Sequence, residues 1–204
     1  MKFIKIIVAS FFLCTACTKD DDRIDFTFLQ LNDVYEIAAI QGGEFGGMAR
    51  VETVHQKLLK ENKNTMLFMA GDFLSPSLLG TLKVGGNRVG GKQMVEVMNA
   101  MNFDLVAFGN HEFDIPKKDL QERLNESNFP WISANVQLKT ADGAVPFYKE
   151  IAGEKKAVNE TFIQEFTDED GTAIKVGFIS VCIPSNPKEF VQYGDMYQRV
   201  KASH

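Results

Sequence analysis

Three short polar stretches carry the residue types that could do chemistry: Asn32-Asp33, Gly71-Asp72 and Gly109-Asn110-His111, the last running on into Glu112-Phe113-Asp114. Each follows an apolar run, so each sits where a strand would stop. Taken singly, each has an ordinary structural reading, because Asp and Asn at strand ends cap helices or make Asx turns. For Asp33 alone that reading is the better one, and a lone histidine near a strand end is most often a satisfied structural residue. Recurrence at three ends changes the balance. Carboxylate and amide oxygens with an imidazole suit Mn²⁺, Zn²⁺, Fe or Mg²⁺. Asp72, between the other two stretches, is placed to bridge a pair of ions. Two-metal sites activate water and stabilise both the attacking and the leaving oxygen in phosphate ester hydrolysis.

The elements that must position these residues can be read from the apolar pattern. Residues 26–31 form a β-branched and aromatic run, a strand ending at Asn32-Asp33. After Gly42-Gly43 and Gly46-Gly47, residues 48–61 place Met48, Val51, Val54 and Leu58 at helical spacing. Residues 65–70 are a second strand, ending at Gly71-Asp72, and a glycine-rich loop occupies 85–91. Residues 92–102 predict a helix with Met94, Val97, Met98 and Met101 on one face, and 103–108 a third strand. Pro116 opens a helix through residue 125, where its missing N–H costs nothing, and 131–136 is a fourth strand. Residues 162–166 and 173–183, joined by the turn signal 168–171, read as a hairpin. Alternating strands and helices predict an α/β fold with a largely parallel sheet covered on both faces and right-handed crossovers. In such sheets ligands gather outside the carboxyl ends of the strands, where the three polar stretches fall.

Composition narrows the function classes. The 204 residues are 45% hydrophobic and 24% charged, which excludes a disordered acidic tail and a polytopic membrane protein. A net charge of -5 leaves no excess of Lys and Arg to neutralise phosphates, so binding of nucleic-acid polymers is not expected. Only three histidines are present, His55, His111 and His204. His55 falls in the first helix and reads as a surface or boundary residue.

The first sixteen residues have the form of a secretory signal peptide: Lys2 and Lys5, the apolar run 6–13, then small residues before Cys17. The apolar run is too short to span a bilayer, which takes about 20 residues. Cys17 after Ala16 resembles a lipoprotein acylation site, with Cys14 standing where Leu is usual. Residues 17–25, with Asp20-Asp21-Asp22, then form an acidic linker. The expectation is an exported chain anchored to a membrane through lipid on Cys17, periplasmic or at the cell surface. Cys182 lies in an apolar run and reads as a buried thiol rather than a disulfide partner.

The motifs Asn32-Asp33-Val34-Tyr35-Glu36, Gly71-Asp72-Phe73, Gly109-Asn110-His111-Glu112-Phe113-Asp114 and Ser133-Ala134-Asn135-Val136 together resemble those of the calcineurin-like metallophosphoesterases. More narrowly, they are similar to the amino-terminal domain of bacterial 5′-nucleotidases and 2′,3′-cyclic phosphodiesterases. The resemblance implies part of an αββα sandwich, mixed sheets flanked by helices. It also implies two divalent metal ions and hydrolysis of nucleotides or other phosphate esters by metal-activated water. It assigns Asp33 to the first metal, Asp72 to both and Asn110 to the second. His111 would contact the scissile phosphate, contributing about 10²–10⁴-fold as a positioned acid, with Asp114 orienting it.

Two departures from the family pattern stand out. The first motif is usually Asp-x-His, and here Tyr35 takes the histidine's place. The histidine ligands of the domain's second half have no counterpart, nor does the carboxy-terminal nucleoside-binding domain. Residues 26–204 therefore read as an incomplete metallophosphoesterase domain with weak activity of its own. Two other classes remain open: a non-catalytic surface lipoprotein that binds a ligand or partner, and an α/β domain whose strand-end residues are only caps.

Overall fold

The computed structural model describes residues 23–185 and 187–202, so the signal segment, Cys17 with most of the acidic linker, and His204 lie outside the described residues. Strand β1 (Thr27–Leu31) leads into α1 (Met48–Glu61) and β2 (Thr65–Met69). Next come α2 (Leu78–Thr81), the two-residue strands β3 (Lys83–Val84) and β4 (Asn87–Arg88), α3 (Lys92–Ala100), β5 (Leu105–Ala107), α4 (Lys117–Glu126) and β6 (Trp131–Ile132). The second half is mostly β: β7 (Val136–Thr140), β8 (Gly143–Val145), β9 (Tyr148–Ile151), β10 (Glu154–Ala157), β11 (Thr161–Thr167), β12 (Ala173–Ile179) and β13 (Val191–Tyr193), followed by α5 (Met196–Ala202).

The central sheet has the order β1-β2-β5-β6, and all its pairings are parallel. Strand order therefore follows chain order. When every crossover has the same hand, such a sheet gathers its helices on one face. The core agrees: Met48 of α1, Met94, Val95 and Met98 of α3, and Leu120 and Leu124 of α4 share one buried cluster with Leu67, Met69, Val106, Phe108 and Trp131. Full burial of each such side chain contributes about 1.5–3 kcal/mol. Phe108, at the end of β5, has Phe113, Trp131 and Phe147 around it at ring-centroid distances of 5.5, 4.7 and 5.2 Å. The chain just beyond the third strand end is thereby anchored in the densest part of the core.

Among the described residues the opposite face is covered by strands. There the β11–β12 hairpin, paired from Thr161↔Ile179 to Thr167↔Ala173, lays Phe166, Phe162, Val176 and Phe178 over Met66, Leu105 and Ile132. The fold is thus α/β, a parallel sheet flanked by helices, with a β layer as the second cover.

Several elements differ from the sequence reading, each for a physical reason. On α1 it is Val54 that is exposed and His55 that is buried, its Nδ1 lying 3.1 Å from Glu52 Oε2. The imidazole continues the stripe of Met48 and Val51, so His55 is a satisfied core residue rather than a surface one. On α3 it is Val95 that is fully buried beside Met94 and Met98, with Val97 only partly covered. The expected strand 131–136 breaks after Ile132, because Ser133 turns the chain: its Oγ donates to Val136 O and accepts from Val136 N. Pairing in the last long strand stops at Ile179 rather than residue 183. The glycine-rich loop holds the small β3–β4 hairpin. Both faces of every strand were expected to be covered, but edge strand β1 alternates half-buried and exposed residues, with Phe28 only partly sheltered by Phe178.

Candidate active site

The carboxyl ends of β1, β2 and β5 lie side by side, and the chain leaves the first two through left-handed residues. Asp33 (φ 54°) and Asp72 (φ 60°) are both left-handed, a conformation that costs a residue with a Cβ about 1–2 kcal/mol. Such strain persists only where surrounding structure holds it, and it concentrates at functional sites. Asp33 N donates to Gly71 O, tying the first end to the second. The second and third ends touch backbone to backbone. A Cβ on Gly71 would stand 2.3 Å from Gly109 N, and one on Gly109 would stand 2.3 Å from Asp72 Oδ1. Both positions therefore require glycine.

The polar side chains meet in this crossing. Asn32 Nδ2 donates to Asp33 Oδ2 at 2.7 Å and Tyr35 Oη donates to Asp33 Oδ1 at 2.9 Å. These two bonds hold the Asp33 carboxyl below the usual carboxylate range. Tyr35 responds in the opposite sense. Burial, then its bond to Asp33, pushes the phenol up, so it stays neutral and serves as a donor to Asp33. Its ring stands edge-on to His111, centroids 6.0 Å apart.

Asp72 Oδ1 accepts the backbone N–H of His111 at 2.7 Å, which caps the single 3₁₀ turn formed by His111–Asp114. Asn110 immediately precedes that turn and makes no side-chain capping bond, which leaves its amide oxygen available. His111 Nδ1 lies 2.7 Å from Asp114 Oδ2. Because a carboxylate only accepts, Nδ1 carries the proton and Nε2 is the nitrogen turned to other partners. The bond to Asp114 raises the imidazole above its ordinary pKa, against the opposing effect of burial. Burial also works to raise Asp114, but its bonds to His111 and to Lys188 prevail and hold it low. The Lys188 ammonium reaches Asp114 Oδ1 at 3.2 Å.

Two residues of the site escaped the sequence reading. Lys188 arrives from the loop between β12 and β13, with no local signal to mark it. Glu112 lay in plain view inside the hexapeptide, yet nothing in its neighbours announced that it would be fully buried. Its carboxylate accepts from the backbone N–H groups of Asp72, Phe73, Leu74 and Gly109, at 2.7, 2.8, 3.2 and 2.7 Å. Asn135, one of the motif residues, is structural: its amide bonds N–H and C=O of Cys182, each at 2.8 Å, latching the end of the hairpin to the sheet. Cys182 is buried and free, and burial pushes its thiol up to about 12.

Asp33, Asp72 and Asn110 thus bring two carboxylates and an amide oxygen to one edge. That donor set fits a hard or borderline divalent cation. The bare Cα of Gly109 leaves the seat that the Asp72 carboxylate occupies. By themselves the acids do not close a site: among the described residues no group of three or more His, Cys, Asp or Glu is placed to hold a metal ion.

The chain is similar to known proteins in sequence and in fold. The chain is 31% identical over 144 residues to a snake venom 5′-nucleotidase from Crotalus adamanteus, a match covering 66% of this chain and 24% of that protein. Among solved structures, the NAD nucleotidase of Haemophilus influenzae superposes with a TM-score of 0.65 at 25% identity, over 87% of this chain and 34% of its own. The calcineurin-like phosphoesterase YfkN of Bacillus subtilis superposes with a TM-score of 0.63 at 22% identity, over 87% of this chain and 56% of its own, a likeness of fold. The chain spans about a quarter of the length of the first curated relative. Residues 26–172, which include the three strand ends and the whole of the His111 turn, match the family model for calcineurin-like phosphoesterases, and this chain belongs to that family.

Proposed function

We propose that this chain carries the amino-terminal half of a 5′-nucleotidase-like metallophosphatase centre, acting on phosphate esters of nucleotides. The observation that supports it most is the chain of contacts running from the Asp72 carboxylate through the backbone N–H of His111 to its imidazole and on to Asp114. It couples a metal-type ligand to a proton-carrying group within one turn. Asp33, Asp72 and Asn110 are the residues that would hold two divalent ions, of the Mn, Zn, Fe or Mg class. When bound, such ions supply Lewis acidity and activate water for attack at phosphorus.

The chain's own residues do the rest. His111 presents Nε2 to the phosphate or its leaving oxygen. Because Asp114 favours the imidazolium, that nitrogen carries a proton to donate as the ester bond breaks. Asp114 keeps the ring from rotating, and Lys188 holds Asp114 ionised. Tyr35, which takes the place of a ligand histidine in the family motif, donates to Asp33, so the first ion would have fewer protein donors. With this partial donor set, turnover by the 204 residues alone is expected to be weak.

We also propose export and anchoring through lipid on Cys17. No helix among the described residues is long and apolar enough to cross a membrane. A second reading, a lipoprotein that binds a ligand or partner without catalysis, is favoured by the absence of a closed acid and histidine cluster among the described residues. Release of inorganic phosphate from a nucleoside 5′-monophosphate with added Mn²⁺ separates the two. The enzyme reading expects slow hydrolysis that disappears with chelator and in Asp72→Ala; hydrolysis that persists in either would refute it.

A further inference from the structure

Glu112 is the most completely buried acid of the described residues. All four of its bonds come from backbone N–H groups. Three of these belong to consecutive residues, Asp72, Phe73 and Leu74, and the fourth to Gly109. Consecutive N–H groups converge on one point where a left-handed residue bends the chain into a nest, and Asp72 at φ 60° provides such a bend. Such nests bind anions from outside in many proteins; here the anion is part of the chain. The relation is reciprocal. Asp72 of the β2 turn caps the turn after β5 through His111 N–H, while Glu112 of the β5 turn fills the nest after β2.

We propose that Glu112 is a positioning residue for the metal donors: its carboxylate holds Asp72 in the left-handed conformation, locks that turn against Gly109, and so aims the Asp72 and Asn110 oxygens at one point. Without an anion in the nest, three inward N–H groups would lose their acceptor and Asp72 would relax toward ordinary φ values. Its carboxylate would then swing away from Asn110. The inference rests on the metal-holding role proposed above for Asp72 and Asn110.

The test uses MnCl₂ alone as probe, with the ¹⁵N-labelled chain. In the wild type, the amides of Asp33, Asp72 and Asn110 broaden together as Mn²⁺ is added. In Glu112→Gln, whose amide points two hydrogens at the same donors, at least about tenfold more Mn²⁺ is needed for equal broadening, the range typical of residues that orient metal ligands. Leu124→Ala, destabilised in the core of α4, leaves the titration unchanged, which separates positioning from general loss of stability. Equal titration of Glu112→Gln and wild type would overturn this inference alone. A wild type with no broadening at all would overturn the metal-holding reading and this inference with it. Should Glu112→Gln not fold, hydrogen exchange in the wild type decides. The Asp72, Phe73, Leu74 and Gly109 amides should exchange at least about a hundredfold slower than unstructured ones; free exchange of these four would overturn the proposal.

Discussion

Replacing Gly109 with alanine probes the crossing of the second and third strand ends most sharply. An added Cβ would stand 2.3 Å from Asp72 Oδ1, 2.6 Å from its Cγ and 2.7 Å from its backbone N. Ordinary contacts of a Cβ begin near 3.4 Å, so a shift of roughly 1 Å is required. A rotamer change cannot supply it. The carboxylate is tied to His111 N–H at 2.7 Å, and the Asp72 N–H is tied to Glu112 at 2.7 Å. Overpacking of this kind costs about 1–3 kcal/mol, and the rigid neighbours place Gly109→Ala at the upper end. Breaking the charge-assisted bond to His111 adds about 1.5–3 kcal/mol. The expected loss is therefore about 4–6 kcal/mol, a large share of a domain's stability. Gly177→Ala is the control: a Cβ there meets nothing within 4 Å in strand β12, and removing a strand glycine should be neutral or stabilise by about 0.5–1 kcal/mol. Urea denaturation followed by far-UV circular dichroism gives both numbers. A loss below about 1 kcal/mol for Gly109→Ala, no more than a typical surface or mild core change, would refute the reasoning.

Asp114→Asn should lower the pKa of His111, read from its imidazole ¹⁵N shifts; an unchanged titration would sever the pair. Since the folded pKa of His111 is raised, its contribution to stability is complete below the free value of about 6.5 and fades as pH climbs through the folded value, and Asp114→Asn should remove that slope. Arg123→Ala removes a buried guanidinium that bonds Glu126 and the carbonyls of Val89 and Gly90, so about 3–5 kcal/mol should be lost and residues 83–91 should become the first site of proteolysis. In a Cys14→Ser, Cys17→Ser background, Cys182 should resist a thiol reagent at pH 8 until urea is added, because its thiol is buried and pushed up to about 12. Rapid native labelling would contradict that placement.

The parallel core was legible because its signals are local. Thr65–Met69 is a nearly unbroken apolar run since it lies in the sheet's middle, and α1 ends at Glu61 as its periodicity predicts. What stayed hidden depends on tertiary partners. Ser133 breaks a strand through bonds to Val136, and of the short strands that follow, β7 buries only Val136 and Leu138 while β10 is exposed throughout, too few apolar residues to mark a period. His55 turned inward because a helix stripe runs by geometry, regardless of polarity. In the site, Asp33, Asp72, Asn110 and His111 stood out as polar residues at strand ends, and Asp114 through the family resemblance. Glu112 did not, because its role is to accept backbone N–H groups, and these leave no trace in the sequence. Lys188 reaches Asp114 only once β12 and β13 are placed.

The central claim is that Asp72 is a metal donor and His111 is not, although a single hydrogen bond joins them. Binding of Mn²⁺ to wild type, Asp72→Ala and His111→Ala, read by electron paramagnetic resonance of the free ion, tests it most directly. Asp72→Ala should lose binding, and His111→Ala should bind as the wild type does. Loss of binding in His111→Ala, or its retention in Asp72→Ala, would contradict it.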